Sequence, residues 1–344
     1  MNLKELSLML GLSQTTISRA INGYPEVNEE TRQRVLKAAK ETGYRPNRAA
    51  QRLATGKAGS IGLIMPVSPD HASDIHFAEF QGGLAEVAIE HDFHFVIMPA
   101  RVEDEQEAIR WLVASGSVDG YYLAYMREND PRIAMAQSLS LPFIVHGRSY
   151  GRATDYAFLD VDNEGAFYDA TRFPLQLGHR CFALLNGPAD LDFAFRRKQG
   201  TEKALAEHGL ILDPAHIRNS FMGDEQGYRG MKEILSGPER PTAVLCASTV
   251  LALGAVRALN EARLQLGVEV SLIDHDDELP ILKPENFRVP LTTTRSSLRQ
   301  AGKRVAERLI AMIHTGVDMQ QTQQELWKVD LVVRSSTGPA PAAD

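Results

Sequence analysis

Cysteine is nearly missing from this chain: two in 344 residues, Cys181 and Cys246, each inside an apolar run. Two cysteines so placed offer neither a disulfide framework nor a zinc-site spacing, and they are expected to be small buried hydrophobes of a reduced compartment. No apolar stretch approaches the ~20 residues of a membrane span. The N-terminus opens without the apolar core of a signal peptide, so a cytoplasmic protein is expected. Neither a nucleophile elbow, a phosphate-cradling Walker loop nor a zinc motif occurs. An enzyme is therefore not expected, and no cofactor or metal is called for. Positive charge is also in deficit, with 37 Lys and Arg against 44 Asp and Glu and a net charge of -7.

That deficit is unevenly distributed. Residues 1–57 hold ten basic and five acidic residues, net +5, which leaves -12 on the remainder. A basic head on an acidic body is the footprint of a nucleic-acid-binding module joined to a larger domain. The head is patterned accordingly. Leu3, Leu6 and Leu10 share one helical face, Gly11-Leu12-Ser13 interrupts, and Ile17 and Ile21 share the next. A short helix, a tight turn with Gly and a second helix is the helix–turn–helix pattern. Gln14, Thr15, Thr16, Ser18 and Arg19 are left facing outward, as suits base edges and phosphates better than a core. Asn28 reads as the N-cap of a third helix running to about Thr42, with Val35, Leu36 and Ala39 toward the core. Tyr44-Arg45-Pro46-Asn47 is a break, and Arg48 to Ala54 reads as one more short helix.

From Ser60 the texture changes to strands alternating with helices, which predicts parallel sheets covered on both faces. One series of strands starts at Ile61, Phe93, Gly120 and Pro142, and a second at Phe158, Cys181, Ala243 and Val270. Two series predict two doubly wound subdomains whose strand ends face each other across a ligand cleft. The closing Pro339-Ala340-Pro341-Ala342-Ala343-Asp344 has no hydrophobic pattern and is expected to be disordered.

Taken together the motifs resemble the LacI/GalR family of bacterial transcription regulators. The match runs through Leu12-Ser13-x-x-Thr16-Ile17-Ser18-Arg19-x-Ile21-Asn22-Gly23 and Tyr44-x-Pro46-Asn47-x-x-Ala50-x-x-Leu53 in the head. In the body it runs through Val118-Asp119-Gly120, Leu177-Gly178-His179-Arg180, Pro241-Thr242-Ala243-Val244-x-Cys246-Ala247 and Pro290-Leu291-Thr292-Thr293. The resemblance implies an all-α helix–turn–helix head on an α/β periplasmic-binding-protein-like body. It implies a head over 1–46, a hinge helix over 47–57, one subdomain over 58–161 with 290–322, a second over 162–289 with 323–337, and a free tail over 338–344. The crossings between subdomains are expected near 160–162, 289–293 and 320–326.

It further implies that Gln14, Thr15 and Arg19 touch bases, and that Thr16, Ser18, Asn22 and Asn28 set register on phosphates. Asn47, Ala50 and Leu53 belong to the hinge, where Leu53 is expected to wedge into the minor groove of a bent duplex. For the cleft it implies His76, Phe77, Arg197, Ser248 and Asp276 as ligand contacts; Arg148, which ends a strand at the cleft mouth, is a further candidate. Ser248-Thr249 stands where the family usually shows Asn-Asp, and Asp274 where it shows Gly; these departures resemble the α-glucoside or trehalose regulators of the family. Asp274–Asp277 is not read as a metal site, because neighbours on a strand end point opposite ways and no distant third ligand is evident. The expected function is a repressor binding a pseudo-palindromic operator as a homodimer, controlled by a mono- or disaccharide. The alternatives are a purine or phosphosugar effector, or a sugar-binding transport protein.

Overall fold

The computed structural model describes residues 1–44, 56–67, 74–315 and 323–342. It contains two compact units, Met1–Gly59 and Ser60–Asp344.

Among its described residues the first unit has three helices, α1 (Leu3–Leu10), α2 (Gln14–Ile21) and α3 (Glu29–Thr42). Each start is capped by a side chain that satisfies an otherwise orphaned amide. Asn2 Oδ1 accepts from Glu5 N while Glu5 returns the bond to Asn2 N; Ser13 Oγ accepts from Thr16 N and Asn28 Oδ1 from Thr31 N. Gly11, at φ 64°, closes α1 in the left-handed conformation that the tight turn requires. Leu6, Ile17, Ala20, Val27, Val35 and Ala38 form the core. Ala38 takes the place expected of Leu36, which is 40% exposed. Position 36 lies a third of a turn from 35, whereas 38 and 39 return to the same face.

The second unit contains two six-stranded sheets. The first holds β1 (Ser60–Pro66), β2 (His94–Ala100), β3 (Gly120–Leu123), β4 (Phe143–His146), β5 (Phe158–Val161) and β11 (Gln324–Trp327), in the order β11-β5-β4-β3-β1-β2, every pair parallel. The second holds β6 (Phe182–Asn186), β7 (Ile217–Asn219), β8 (Ala243–Cys246), β9 (Ser271–Asp276), β10 (Thr292–Arg295) and β12 (Asp330–Val332), in the order β12-β10-β9-β8-β6-β7. Only the β10–β12 pair of this sheet is antiparallel. Helices α4 (Ile75–Glu90), α5 (Glu105–Ala114), α6 (Pro131–Ser138) and α11 (Leu298–Thr315) cover the first sheet. Helices α7 (Asn163–Gln176), α8 (Asp192–Ala206), α9 (Asp224–Leu235) and α10 (Thr249–Glu261) cover the second. Helix pairs approach through glycine: a Cβ on Gly83 would fall 2.0 Å from Arg299 O of α11, and one on Gly200 would fall 2.1 Å from Glu164 O of α7.

Two expectations are corrected. Residues 290–322 do not belong wholly to the first lobe, nor 323–337 wholly to the second. Thr292–Arg295 pairs with β9 and Gln324–Trp327 with β5, so the later crossovers fall at 296–297 and 328–329. The segment from 338 is not free either: Gly338 O accepts from His179 Nε2 at 3.0 Å, Gly338 N donates to Ser271 Oγ at 3.1 Å, and Ala340 N donates to Leu177 O at 2.9 Å. Its order comes from hydrogen bonds to groups on the second lobe, for which hydrophobic periodicity carries no signal.

Candidate functional site

The residues singled out in the sequence fall on two surfaces. In the head, Gln14, Thr15 and Arg19 are exposed along α2, while Ile17 and Ala20 fix the opposite side of that helix in the core. Thr16 and Ser18 are half-buried. The Thr16 hydroxyl is shared with Ser13 at 2.8 Å, and the Asn22 amide donates to Ser18 O at 2.8 Å. Asn28 is exposed although its Oδ1 is engaged as the α3 cap, which leaves its amide N–H groups outward. The hinge residues Asn47, Ala50 and Leu53 lie outside the described residues.

In the second unit a cavity of about 150 Å³ opens between the carboxyl ends of the two sheets, where doubly wound folds bind ligands. Its first wall begins at the α4 N-terminus. Asp74 caps that helix, accepting from His76 N at 3.0 Å, and Tyr125 donates to its other oxygen at 2.9 Å. His76 projects between Asp74, 3.2 Å from Nδ1, and Asp277 of the opposite lobe, 3.4 Å from Nε2. Burial works against charge on His76, but the hydrogen bond to Asp74 and the charge on Asp277 outweigh it and hold its pKa above the ordinary value. Burial raises Asp277 to about 6 against the pull of His76 and Arg197. Phe77, Phe80, Tyr122 and Tyr125 add aromatic faces, Phe77 and Tyr125 stacking at 6.4 Å.

The second wall is organised by Arg197 of α8. Its Nε donates to Asn163 Oδ1 at 2.8 Å, a terminal nitrogen donates to Ala247 O, and its guanidinium lies 5.2 Å from the Phe167 ring and 4.9 Å from Phe193. Burial lowers its pKa to about 10, with Asp277 and Asp160 opposing the fall. Arg148 pairs with Asp160 at 2.7 Å. His275 sits between the Thr294 and Ser296 hydroxyls, each 2.9 Å away, and burial pushes its pKa well below the ordinary value.

Of the residues named from the sequence, His76, Phe77, Arg148 and Arg197 line one cavity; Ser248 and Asp276 do not. Ser248 is consumed as the α10 N-cap, its hydroxyl accepting from Leu251 N at 3.2 Å. Asp276 turns to Glu278 N at 2.8 Å and to Arg295 Nε at 3.2 Å. The reason is strand alternation: at the end of β9, Asp274 and Asp276 point one way, while His275 and Asp277 point into the cavity. Sequence reasoning also missed Asp74, Asp160, Asn163 and Asp192. Their signal was position, since each stands at a strand end or helix start facing the cleft.

Residues 2–47 match the model of bacterial regulatory proteins of the lacI family, and residues 171–337 that of a periplasmic binding protein-like domain. The HTH-type transcriptional regulator AglR of Rhizobium meliloti (strain 1021) is 64% identical over 340 residues, covering 99% of this chain and 95% of that protein. The lac repressor dimer bound to operator and the anti-inducer ONPF superposes with a TM-score of 0.84 at 26% identity, over 98% of this chain and 99% of that one. The transcriptional regulator CelR–cellobiose complex superposes with a TM-score of 0.71 at 26% identity, over 97% and 99%. A reading helix with an exposed Gln, Thr and Arg, carried by a chain with the two-lobed cleft of these relatives, identifies a DNA-binding transcription regulator that belongs to the lacI family of bacterial regulatory proteins.

Proposed function

We propose that this regulator is a repressor that grips a pseudo-palindromic operator as a homodimer in the cytoplasm, and that a small neutral sugar in the interlobe cavity controls that grip without being transformed there. The observation that carries the reading is the charge balance of the cavity. Arg148 faces Asp160, His76 faces Asp74 and Asp277, and Arg197 lies in the field of Asp277 and Asp160. With its cations already offset, such a wall suits hydroxyls, for which carboxylates accept and the guanidinium donates. It does not suit a phosphate, which draws affinity from unopposed cations. Aromatic faces beside these groups fit the C–H surfaces of a sugar ring. The relative solved with cellobiose and the relative solved as a dimer on its operator support the same reading. Chain crossovers join the lobes at the cavity, one flanked by Val161 and Asn163 and another by Ser296, so a ligand preferring one lobe packing shifts the equilibrium by its differential affinity.

The test is fluorescence anisotropy of a labelled upstream fragment with the purified protein, against random competitor DNA. Specific binding that falls steeply with salt is expected, with a neutral sugar weakening it by the ~5–150-fold that a coupling of about 1–3 kcal/mol produces. Equal affinity for operator and random DNA, with and without sugars, overturns the reading.

A further inference from the structure

The polar groups of the reading helix are not all free for DNA. The Thr16 hydroxyl is shared with Ser13 at 2.8 Å, and the Asn22 amide is turned back onto Ser18 O at 2.8 Å. Two of the groups expected to set register on phosphates are thus engaged within the head itself. The loop that follows, residues 22–28, offers another. Tyr24 is 45% exposed, and its hydroxyl has no hydrogen-bond partner among the described residues.

The backbone fixes where that ring stands. Gly23 takes φ 72°, its N–H donates to Ala20 O at 3.3 Å, and the Tyr24 N–H donates to Arg19 O at 3.0 Å. This pair of bonds is the Schellman ending of a helix, in which a left-handed glycine turns the chain back over the last turn. The residue after the glycine commonly packs against the residue whose carbonyl it caps, or the one before it. Here those are Arg19, exposed on the reading helix, and Ser18. The motif that ends α2 therefore returns Tyr24 to the side that carries Arg19.

The rest of the loop keeps it there. Val27 belongs to the head core and its N–H donates to Tyr24 O at 3.2 Å. Arg32 of α3 donates to Tyr24 O at 2.8 Å and to Val27 O at 3.3 Å, and the ring of Pro25 fixes its own φ. An aromatic on a loop fastened in this way loses little freedom when it meets a partner, since tyrosine has only two side-chain torsions.

We infer that Tyr24 is a further contact to DNA: its hydroxyl donates to a backbone phosphate beside the base pair read by Arg19, and its ring lies against the neighbouring sugar. Tyrosine is among the side chains that make such bonds, and a phosphate contact sets register without carrying sequence. The side chain is uncharged, so it adds affinity without displacing a counterion. The inference rests on the DNA-binding assignment alone and holds whether or not a sugar controls the grip.

Fluorescence anisotropy of the full chain on the upstream fragment, and on variants of it altered one base pair at a time, tests this across a salt series. Tyr24→Phe removes only the hydroxyl. It is expected to weaken every complex by the same factor, about tenfold or more for a hydrogen bond to a charged group, with the slope against salt unchanged. Tyr24→Ala also removes the ring and is expected to lose more. Fragments carrying single neutral methylphosphonates locate the contact: at one position the parent is expected to lose affinity while Tyr24→Phe loses no more. Tyr24→Phe binding as tightly as the parent overturns the inference. So does a loss concentrated at one base pair, which marks a base contact, and so does a loss that adds to the effect of every methylphosphonate, which marks a change in the head itself.

Discussion

Arg19 stands exposed near the end of α2, and its neighbour Ala20 is 1% exposed in the head core. The guanidinium is thus held on a rigid element while its planar fork stays free for a guanine edge. Arg19→Ala is expected to cost about 1–3 kcal/mol of operator binding and to relax specificity at one base pair. Anisotropy with operators altered one position at a time checks this; a uniform loss across sequences would mean a phosphate contact instead. In the cleft, Arg197 holds Asn163 through Nε while stacked between Phe167 and Phe193. Lysine keeps the charge but has neither the fork nor the flat face, so Arg197→Lys is expected to weaken sugar binding about tenfold or more by calorimetry. Arg197 was named from the sequence through the family resemblance, which implied it as a ligand contact. Asp277 was not, because Asp276 and Asp277 look alike as letters and only the pairing of β9 decides which one faces the cavity. Ser248 illustrates a second ambiguity: a hydroxyl at a helix start serves a ligand or the first turn equally well, and here it serves the turn.

At the scale of elements, the long helices and buried strands were readable because each buries a regular apolar face. The strands β7 and β11 were not. Ile217–Asn219 has three residues, and Gln324–Trp327 alternates exposed with half-buried positions on a sheet edge. β11 pairs with Phe158–Val161, far upstream, and Thr292–Arg295 pairs with β9 on one side and β12 on the other, so the crossovers could be assigned only from the fold. What sets helix spacing is also three-dimensional. On α4, Gly83 faces the α11 backbone so closely that a methyl group would fall 2.0 Å from Arg299 O, and Gly302 meets Phe80 O in the same way at 2.1 Å. Backbone cannot swing aside as a side-chain end can. Gly83→Ala is therefore expected to destabilise the second unit by about 1–3 kcal/mol, the usual cost of overpacking, despite the better helix propensity of alanine. Urea unfolding followed by circular dichroism measures it, and a stabilised variant would contradict the packing argument.

Over the whole molecule, charge is divided between a head at +5 and an acidic remainder, and the acidic groups of the second unit include several that burial keeps from ionising freely. Asp274 is raised to about 8 by burial, opposed by the Thr249 hydrogen bond and reinforced by Asp276. The unfolded chain ionises that carboxyl near 3.8, so the folded state loses stability as the pH climbs from there toward 8. His76 acts in the same direction: its folded pKa lies above 6.5, so its contribution is full below 6.5 and is lost as the pH rises through the folded value. Asp277, raised to about 6, is mostly ionised as this window opens and adds a small term of the same sign as Asp274. His146, lowered to about 4 by burial, and His275, lowered well below the ordinary value, stay neutral in the folded state, while the unfolded chain sheds their last protons just above pH 6.5, so they oppose the trend weakly at the foot of the window. The Asp274 and His76 terms share one sign and set the trend over the upper part of the window from pH 6.5 to 8. The sugar-free protein is expected to melt at a lower temperature at pH 8.0 than at pH 6.5, by about 2–4 °C for each kcal/mol lost in a unit of this size. Scanning calorimetry of Asp274→Asn, whose amide stays neutral at both values, should show most of that difference gone, and His76→Gln a further part. Melting curves for Asp274→Asn that shift with pH as much as the parent's would remove Asp274 as the cause and leave the slope to the His76 contact across the cleft.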